Sequence, residues 1–165
     1  MKTLVAMSGG VDSTVAAFLS KKAGYDIGGC YMILNEYITK DGEKEAKKSA
    51  DNLGIPFYSV DFSETFKESV LDYFVNEYLK GRTPNPCIEC NKHIKFGELI
   101  QYAKEMGFEK LTTGHYARIE QKDGRFLLKK AKDLTKDQSY FLYRVRPEIL
   151  ERTIFPLGEL TKDEV

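Results

Sequence analysis

Apolar residues along the first two thirds of the chain alternate between short continuous runs and helical faces. The runs predict β-strands at residues 2–7, 27–34, 57–60 and 110–113. Apolar positions three and four residues apart predict helices at 12–23, at 42–53, from Ser63 onward, and across the segment that carries Ile94, Leu99, Ile100 and Ala103. Alternating β and α units of this length predict an α/β fold: a parallel sheet with helices on both faces, which binds ligands beyond the carboxyl ends of its strands.

Glycine and hydroxyl residues mark the boundaries of these elements. We expect Gly24 to end the first helix in the C′ position, and residues 54–56 to end the second. Ser63 is expected to cap the next helix. The apolar face of that helix is predicted to contain Phe66, Val70, Leu71 and Phe74. Residues 118–129 instead predict an added β-hairpin that turns at residues 122–124.

A glycine-rich segment, Met-Ser-Gly-Gly-Val-Asp-Ser-Thr at residues 7–14, joins the first strand to the first helix. The glycines let the backbone approach an anion, and the helix directs its free N–H groups and positive dipole end to the same place. The common phosphate loop ends in Gly-Lys-Ser/Thr, whereas here Asp12 precedes Ser13 and is better suited to Mg²⁺ than to bare phosphate. The alternative is an ordinary tight turn of an α/β domain.

A second candidate site is the Pro- and Asn-rich loop at 81–91, which contains Cys87 and Cys90. We expect Asn91 to cap a helix that starts near Lys92, so that Cys90 lies at a helix N-terminus between cationic neighbours, where the pKa of a thiol is lowered. This placement predicts a nucleophile or a metal ligand. Structural zinc is an alternative, but His93, His115 and Cys30 do not complete a four-ligand set.

Two further features of the cysteines limit the alternatives. A thioredoxin-like Cys-x-x-Cys directly follows a strand, unlike this rigid loop. Cys30 lies in the middle of a predicted strand, which favours a core position over a ligand. The odd number of cysteines, three, argues against a disulfide scaffold.

Length and composition indicate one globular domain. The 165 residues, 42% of them apolar, can bury a real core. The apolar runs are far shorter than the roughly 20 residues that a membrane span needs, and the N-terminus has no signal-peptide pattern. We therefore expect a cytoplasmic protein with no membrane partner.

The formal net charge is zero, but the charge is unevenly distributed. Residues 118–146 contain nine basic and four acidic side chains, a surplus of five positive charges. Such a surface suits the phosphates of a nucleic acid, and the alternative is a solvated hairpin.

Near the end of the chain, Thr161 and Glu164 have the spacing of a capping box. Because no helix pattern follows it, we expect the chain to be part of a longer protein, the alternative being a frayed tail.

Several motifs together resemble one family. The glycine segment resembles the pyrophosphate-binding loop of the ATP pyrophosphatases, which split ATP into AMP and pyrophosphate to adenylate a substrate. With the other motifs, the whole chain resembles the tRNA-specific 2-thiouridylases of that superfamily. The matching strings are A-M-S-G-G-V-D-S at 6–13, a methionine at Met32, G-x-T-P-N-P at 81–86, C-N-K-x-I-K-F at 90–96, T-G-H-Y-A-R at 113–118 and K-D-Q-S-Y-F-L at 136–142.

The resemblance implies roles for individual residues and a Rossmann-like fold of the adenine-nucleotide alpha-hydrolase type. Cys90 would be the attacking cysteine, with Asp12 as the second catalytic residue. His115 inherits no role, and the alternative is a structural imidazole. The residues that would contact ATP are Ala6, Met7, Ser8, Gly9, Gly10, Val11, Asp12, Ser13, Met32 and Gly114. The residues that would border the target base are Asn85, Pro86 and Cys87, and those that would touch tRNA are Lys136, Asp137 and Gln138.

The reaction implied by the resemblance is the ATP- and Mg²⁺-dependent 2-thiolation of the wobble uridine, position 34, of tRNA. A carbonyl oxygen is a poor leaving group, so AMP is first placed on the uracil 2-oxygen and sulfur then displaces it. The sulfur must arrive on a nucleophilic site beside the activated base. The expected partners are therefore tRNA and a sulfur donor or carrier protein.

This chain departs from the commonest family pattern at two points. Many members have aspartate where this chain has Cys87, and they carry a second reactive cysteine downstream that is missing here. The missing cysteine leads us to expect an N-terminal catalytic domain, 1–165, without the central and C-terminal tRNA-binding domains. The Cys87 departure resembles sulfur-transfer enzymes that hold a 4Fe–4S cluster, here by Cys87, Cys90 and a third cysteine outside the chain.

Two other functions remain open at the level of sequence. The chain could be another ATP pyrophosphatase, such as a lysidine- or amide-forming ligase, which would not need Cys90. It could also be a noncatalytic nucleotide-sensing or RNA-binding module.

Overall fold

The computed structural model describes residues 1–35 and 39–165. Its main sheet has five parallel strands in the order β3-β2-β1-β4-β7. These strands are β1 Lys2–Ala6, β2 Asp26–Ile33, β3 Phe57–Asp61, β4 Lys110–Thr112 and β7 Thr153–Ile154. The predicted parallel α/β fold is confirmed, and the short β7 extends the sheet beyond the strands that the sequence predicted.

In the described ranges, five helices surround this sheet, and two of them contain π-helical stretches. The simple helices are α1 Val11–Lys22, α2 Thr39–Leu53 and α5 Pro147–Leu150. Helix α3 comprises Ser63–Phe66, a π-helical Lys67–Leu71 and Asp72–Leu79. Helix α4 comprises Pro86–Glu89, a π-helical Cys90–Glu98 and Leu99–Glu105. Among the described residues, no helix is long and apolar enough to cross a membrane.

Both faces of the sheet are covered, because side chains of β1 alternate between two apolar clusters. Leu4 belongs to one cluster together with Leu99 and Ile100 of α4. Val5 belongs to the other, together with Ala17 of α1 and residues of α2. Burial of a leucine or valine side chain contributes about 1.5–3 kcal/mol to stability, so these contacts fix the helices on either side. The prediction of helices on both faces is confirmed.

The predicted hairpin is present beside the main sheet. Strands β5 Ala117–Lys122 and β6 Arg125–Lys130 pair antiparallel. Asp123 and Gly124 between them have φ of 50° and 73°. Two consecutive positive φ values define the type I′ turn that Asp-Gly favours, so the turn follows from the local sequence.

Two predicted helix starts are wrong. Ser63 is already the first helical residue of α3, and Asp61 Oδ1 accepts the Ser63 N–H at 2.8 Å instead. Helix α4 begins at Pro86 rather than near Lys92, because the Asn85 side chain caps it and proline suits the first helical position. In α3, Val70 is buried as predicted, whereas Leu71 is 39% exposed.

Candidate functional site

A cavity of about 360 Å³ lies at the carboxyl edge of the main sheet. It is located where β1 and β4 meet, between the half of the sheet built by β2 and β3 and the half built by β4 and β7. Ligands of open α/β sheets bind at this change of strand order. The residues that line the cavity are Ala6, Met7, Ser8, Asp12, Ser13, Tyr31, Met32, Leu34, Lys95, Thr113, Gly114, His115 and Gln138. They include seven of the ten positions predicted to contact ATP.

The glycine segment turns sharply from β1 into α1. Gly9 has φ of 85°, and a Cβ there would lie 2.6 Å from the Gly42 carbonyl oxygen, so only glycine fits. The Ser13 hydroxyl accepts the Ser8 N–H at 3.1 Å and donates to the Gly10 carbonyl at 3.0 Å. These bonds hold the turn at the open start of α1, where helix N–H groups are free for an anion.

Gly114 brings the loop after β4 against the first turn of α1. A Cβ on Gly114 would lie 3.0 Å from the Ser13 nitrogen and 3.0 Å from the Asp12 carbonyl carbon. Both atoms belong to the backbone, so a side chain could not be accommodated by a rotamer change. The absence of a side chain at Gly114 therefore defines one wall of the cavity beside the glycine segment.

Among the described residues that line the cavity, Asp12 is the only carboxylate. Its Oδ1 forms an ion pair with the Lys162 ammonium and accepts the Tyr116 hydroxyl at 3.0 Å. The hydrogen bond to Asp12 raises the pKa of Lys162. Burial, followed by the bond to Asp12, raises the pKa of Tyr116. In the described part of the chain no group of three His, Cys, Asp or Glu side chains could hold a metal ion, so Asp12 would need ligands from a bound nucleotide to hold Mg²⁺.

Lys162 was not among the residues predicted from sequence. It lies within the capping box, between Thr161 and Glu164, in which Glu164 Oε2 accepts the Thr161 N–H at 2.7 Å. Its own N–H donates to Asp133 Oδ2 at 3.1 Å. These bonds fix the segment Lys162–Glu164 beside α1. The capping box was visible in the sequence. The contact between Lys162 and Asp12 was not, because these residues lie 150 positions apart along the chain.

His115 lines the cavity and is buried next to Lys95. Its Nδ1 lies 2.7 Å from the Thr113 hydroxyl, and its Nε2 lies 3.5 Å from Lys95 Nζ. The imidazole also contacts the rings of Phe96 and Phe155, at centroid distances of 5.9 Å each. Burial, and then the positive charge of Lys95, lower the pKa of His115 well below its usual 6.5. The imidazole is therefore neutral at physiological pH.

The Cys-x-x-Cys segment forms the first turns of α4. Asn85 Oδ1 accepts the Cys87 N–H at 3.1 Å. Cys87 is exposed and Cys90 is half-buried. Burial raises the pKa of the Cys90 thiol, Lys95 acts in the opposite direction, and Cys87 raises it further.

The prediction that the pKa of Cys90 is lowered by a helix N-terminus is therefore wrong. Because α4 starts at Pro86, Cys90 lies beyond the first turn of the helix, where the dipole effect has fallen off. The loss of hydration then outweighs the positive charge of Lys95.

Buried polar contacts attach this cysteine helix to the segment 136–146. Glu89, between the two cysteines, is 5% exposed and forms an ion pair with Arg144, and on its own helix its Oε2 lies 3.3 Å from His93 Nε2. The Asn91 amide donates to the Phe141 carbonyl at 3.0 Å. Neither of the contacts with segment 136–146 was predicted, because each joins positions at least 50 residues apart.

The remaining predicted residues are distributed as follows. Cys30 is fully buried in β2, which confirms the core position. Burial raises its pKa to about 12, which makes it a poor ligand.

Gln138 lines the cavity, and its Oε1 accepts the Tyr116 N–H at 3.0 Å. Asp137 accepts the Ala131 N–H at 2.7 Å and the Ser139 hydroxyl at 2.7 Å, whereas Lys136 is exposed. Asn85, Pro86 and Cys87 are not part of the described cavity lining.

The fold and the glycine segment define a nucleotide-binding α/β domain. Residues 1–165 match the family model described as the tRNA methyl transferase HUP domain, and the chain belongs to this family.

Curated relatives agree with this assignment. The chain is 50% identical over 175 residues to the tRNA-specific 2-thiouridylase MnmA of Clostridium perfringens, with 99% of this chain and 49% of that protein covered. It is 48% identical over 172 residues to the tRNA-specific 2-thiouridylase MnmA 1 of Syntrophus aciditrophicus, with 99% and 46% covered. The chain thus spans about half the length of the curated relatives that it matches.

A solved structure shows the same fold at low sequence identity. It is a predicted subunit of tRNA methyltransferase from Methanocaldococcus jannaschii, with a TM-score of 0.61 and 18% identity, and the match covers 99% of this chain and 71% of that one.

Proposed function

We propose that this chain is the ATP-using part of a tRNA-uridine 2-sulfurtransferase, which thiolates the wobble uridine at position 34. The proposal rests on one structural observation, the set of residues that line the cavity. One cavity at the carboxyl edge of the sheet is lined both by the glycine segment and by Lys95, which belongs to the helix of Cys90. A nucleotide-activating site and a thiol are thereby neighbours. The identity of about 50% to tRNA-specific 2-thiouridylases supports the same function.

In this proposal ATP lies across the cavity. The β- and γ-phosphates lie at the glycine segment and the N-terminus of α1, where free backbone N–H groups can bind anions. Adenosine lies toward Met32, at the end of β2. Asp12 is the residue that would hold Mg²⁺ together with the phosphates, and Lys162 forms an ion pair with the Asp12 carboxylate. The cation would supply charge neutralisation for the departing pyrophosphate.

The proposed chemistry has three displacements. The uracil 2-oxygen attacks the α-phosphorus, the bond from that phosphorus to the bridging oxygen breaks, and pyrophosphate takes the electron pair. The Cys90 thiolate then attacks C2 of the uracil, the C2–oxygen bond breaks, and AMP departs with the original 2-oxygen. Hydrosulfide from the donor or carrier attacks the same carbon, the C2–Sγ bond breaks, and Cys90 regains its thiolate. The residues proposed to border the base in these steps are Asn85, Pro86 and Cys87.

A 4Fe–4S cluster remains a prediction. Cys87 and Cys90 lie three residues apart in one helix, close enough for Cys87 to affect the pKa of Cys90, but Cys30 is buried in β2. The described residues thus offer two thiolates where such a cluster needs three, and no step of the proposed reaction passes through iron.

The proposed RNA contacts lie on the segment attached to the cysteine helix. Lys136 is exposed and free to meet a phosphate, while Asp137 and Gln138 shape the turn that presents it. The surplus of positive charge at 118–146 supports the same partner. We also propose a cytoplasmic location, where tRNA is modified. The presence of further tRNA-binding domains stays a prediction.

The test is ATP–pyrophosphate exchange with and without tRNA that carries a wobble uridine, combined with chromatography of the digested tRNA. We expect exchange that depends on this tRNA, and 2-thiouridine once a sulfide source is added. Exchange driven by a carboxylic acid or an amine without tRNA would instead identify an amide- or lysidine-forming ligase. Nucleotide binding without exchange in any mixture would identify a noncatalytic module.

A further inference from the structure

Lys95 connects the two halves of the candidate site, because it lines the cavity and belongs to the helix of Cys90. It is half-buried. In the part of the chain that the structure describes, its ammonium forms no ion pair with a carboxylate. A half-buried cation without a carboxylate partner, at the wall of a cavity, is available to an anionic ligand.

The π-helical stretch Cys90–Glu98 decides which way Lys95 points relative to Cys90. In an α-helix of about 3.6 residues per turn, residues five apart lie about 140° apart around the axis. In a π-helix each N–H bonds to the carbonyl five residues earlier, so that such residues lie on the same side of the helix. At the end of this stretch the Leu99 N–H bonds to the Ile94 carbonyl in that pattern. Cys90 and Lys95 therefore lie on the same side of α4, and Lys95 affects the pKa of the Cys90 thiol.

His115 fixes the end of the Lys95 side chain. Because the imidazole is neutral, its Nε2 can accept a proton of the ammonium while Nδ1 shares a hydrogen with the Thr113 hydroxyl. The rings of Phe96 and Phe155 hold the imidazole in place. One ammonium proton is thus directed to His115, and the other two remain for a ligand in the cavity.

We propose that Lys95 is a catalytic residue that binds the α-phosphate of the nucleotide. This inference rests on the proposed function. The glycine segment and α1 occupy the pyrophosphate end of the cavity, and Met32 occupies the end assigned to adenosine. The α-phosphate lies between them, and it must face the side from which the substrate oxygen attacks. Lys95 enters the cavity from that side, since it shares a helix face with Cys90.

Calorimetric titration of this chain with adenosine, AMP and ATP tests the assignment. We expect Lys95→Met to weaken AMP and ATP binding by the same factor, about ten-fold, and to leave adenosine binding unchanged. Lys95→Arg keeps the charge and is expected to retain most of the affinity for AMP. The control is Lys104→Met, which removes an exposed charge from the same helix and is expected to bind all three ligands like the parent. His115→Phe should weaken AMP binding less than Lys95→Met, since it removes only the orienting acceptor.

The possible results separate the inference from the proposed function. A parent chain that does not bind ATP contradicts the proposed function itself. A parent that binds ATP, together with a Lys95→Met variant that loses affinity for ATP but not for AMP, places Lys95 at the β- or γ-phosphate and overturns the inference. Equal AMP binding by Lys95→Met and Lys104→Met overturns it as well. Should Lys95→Met fail to fold, as judged by thermal melting, Lys95→Gln takes its place in each comparison.

Discussion

Lys162 and Asp12 form an ion pair at the glycine segment, although 150 residues separate them along the chain. The glycine segment itself contains no lysine, so the tertiary fold supplies the positive charge at the start of α1. The Tyr116 hydroxyl, which also donates to Asp12, completes a small network that joins α1, the loop after β4 and the segment Lys162–Glu164. Tyr116 is buried, but the side chains of Asp12 and Lys162 are each 41% exposed, so we expect the ion pair to matter more for the ligand than for folding.

Replacement of Asp12 tests this expectation. Asp12→Ala should weaken the binding of ATP in the presence of Mg²⁺, because the variant loses a ligand for the cation. Its free energy of unfolding should change by no more than about 1 kcal/mol, since partly exposed ion pairs contribute little. Calorimetric titration and urea denaturation give the two quantities. Asp72→Ala, an exposed carboxylate on α3, is the control. Unchanged ATP binding by Asp12→Ala would remove Asp12 from the site.

At Gly114 the structure leaves no room for a Cβ atom. Gly114→Ala places a methyl group 3.0 Å from backbone atoms of Asp12 and Ser13, so α1 must shift away from β4. We expect a loss of about 1–3 kcal/mol in the free energy of unfolding, together with weaker ATP binding. Gly10→Ala is the steric control, because its Cβ would meet nothing closer than the Ser8 hydroxyl at 3.6 Å. Equal stabilities of the two variants would show that the close contact is absent.

His115 predicts a pH dependence of stability. Burial, and then Lys95, lower its pKa in the folded chain below the usual 6.5, so the unfolded chain binds the proton more readily. The stability that a neutral His115 provides is therefore complete above about pH 6.5 and is lost as the pH falls toward the folded-state pKa. Urea denaturation between about pH 5 and 7.5 should show this decrease for the parent. The decrease should be smaller for His115→Gln, and an identical pH profile of the two proteins would contradict the burial of a neutral imidazole.

The sequence predicted the strand–helix alternation, the hairpin turn and the glycine segment because each depends on local spacing or on glycine. It predicted the start of α4 incorrectly, because Asn85 and Asn91 are equally good caps by residue type and only packing decides between them. This error also produced the wrong prediction for the pKa of Cys90, since it placed that residue at a helix N-terminus. The π-helical stretch that aligns Cys90 with Lys95 has no signature in the spacing of apolar residues. Long-range contacts such as Lys162 with Asp12 and Arg144 with Glu89 depend on the whole fold.

The basic surplus at 118–146 gives a prediction for RNA binding. Lys136→Glu should reduce the affinity for tRNA and lower the slope of log affinity against log salt by about one, because a phosphate contact is lost. Lys44→Glu, which reverses an exposed charge on α2, provides the control. Filter binding at several salt concentrations measures both variants. The same slope for Lys136→Glu and the parent would identify the segment as a solvated surface.

The central claim is that ATP activates the 2-oxygen of the uridine, and an isotope label follows that oxygen directly. A tRNA is prepared with heavy oxygen at the 2-carbonyl of the wobble uracil and incubated with the protein, ATP, Mg²⁺ and sulfide, after which AMP is analysed by mass spectrometry. The account predicts that the heavy oxygen is found in AMP, one label for each 2-thiouridine formed. AMP that carries no label, or ADP as the nucleotide product, would contradict it.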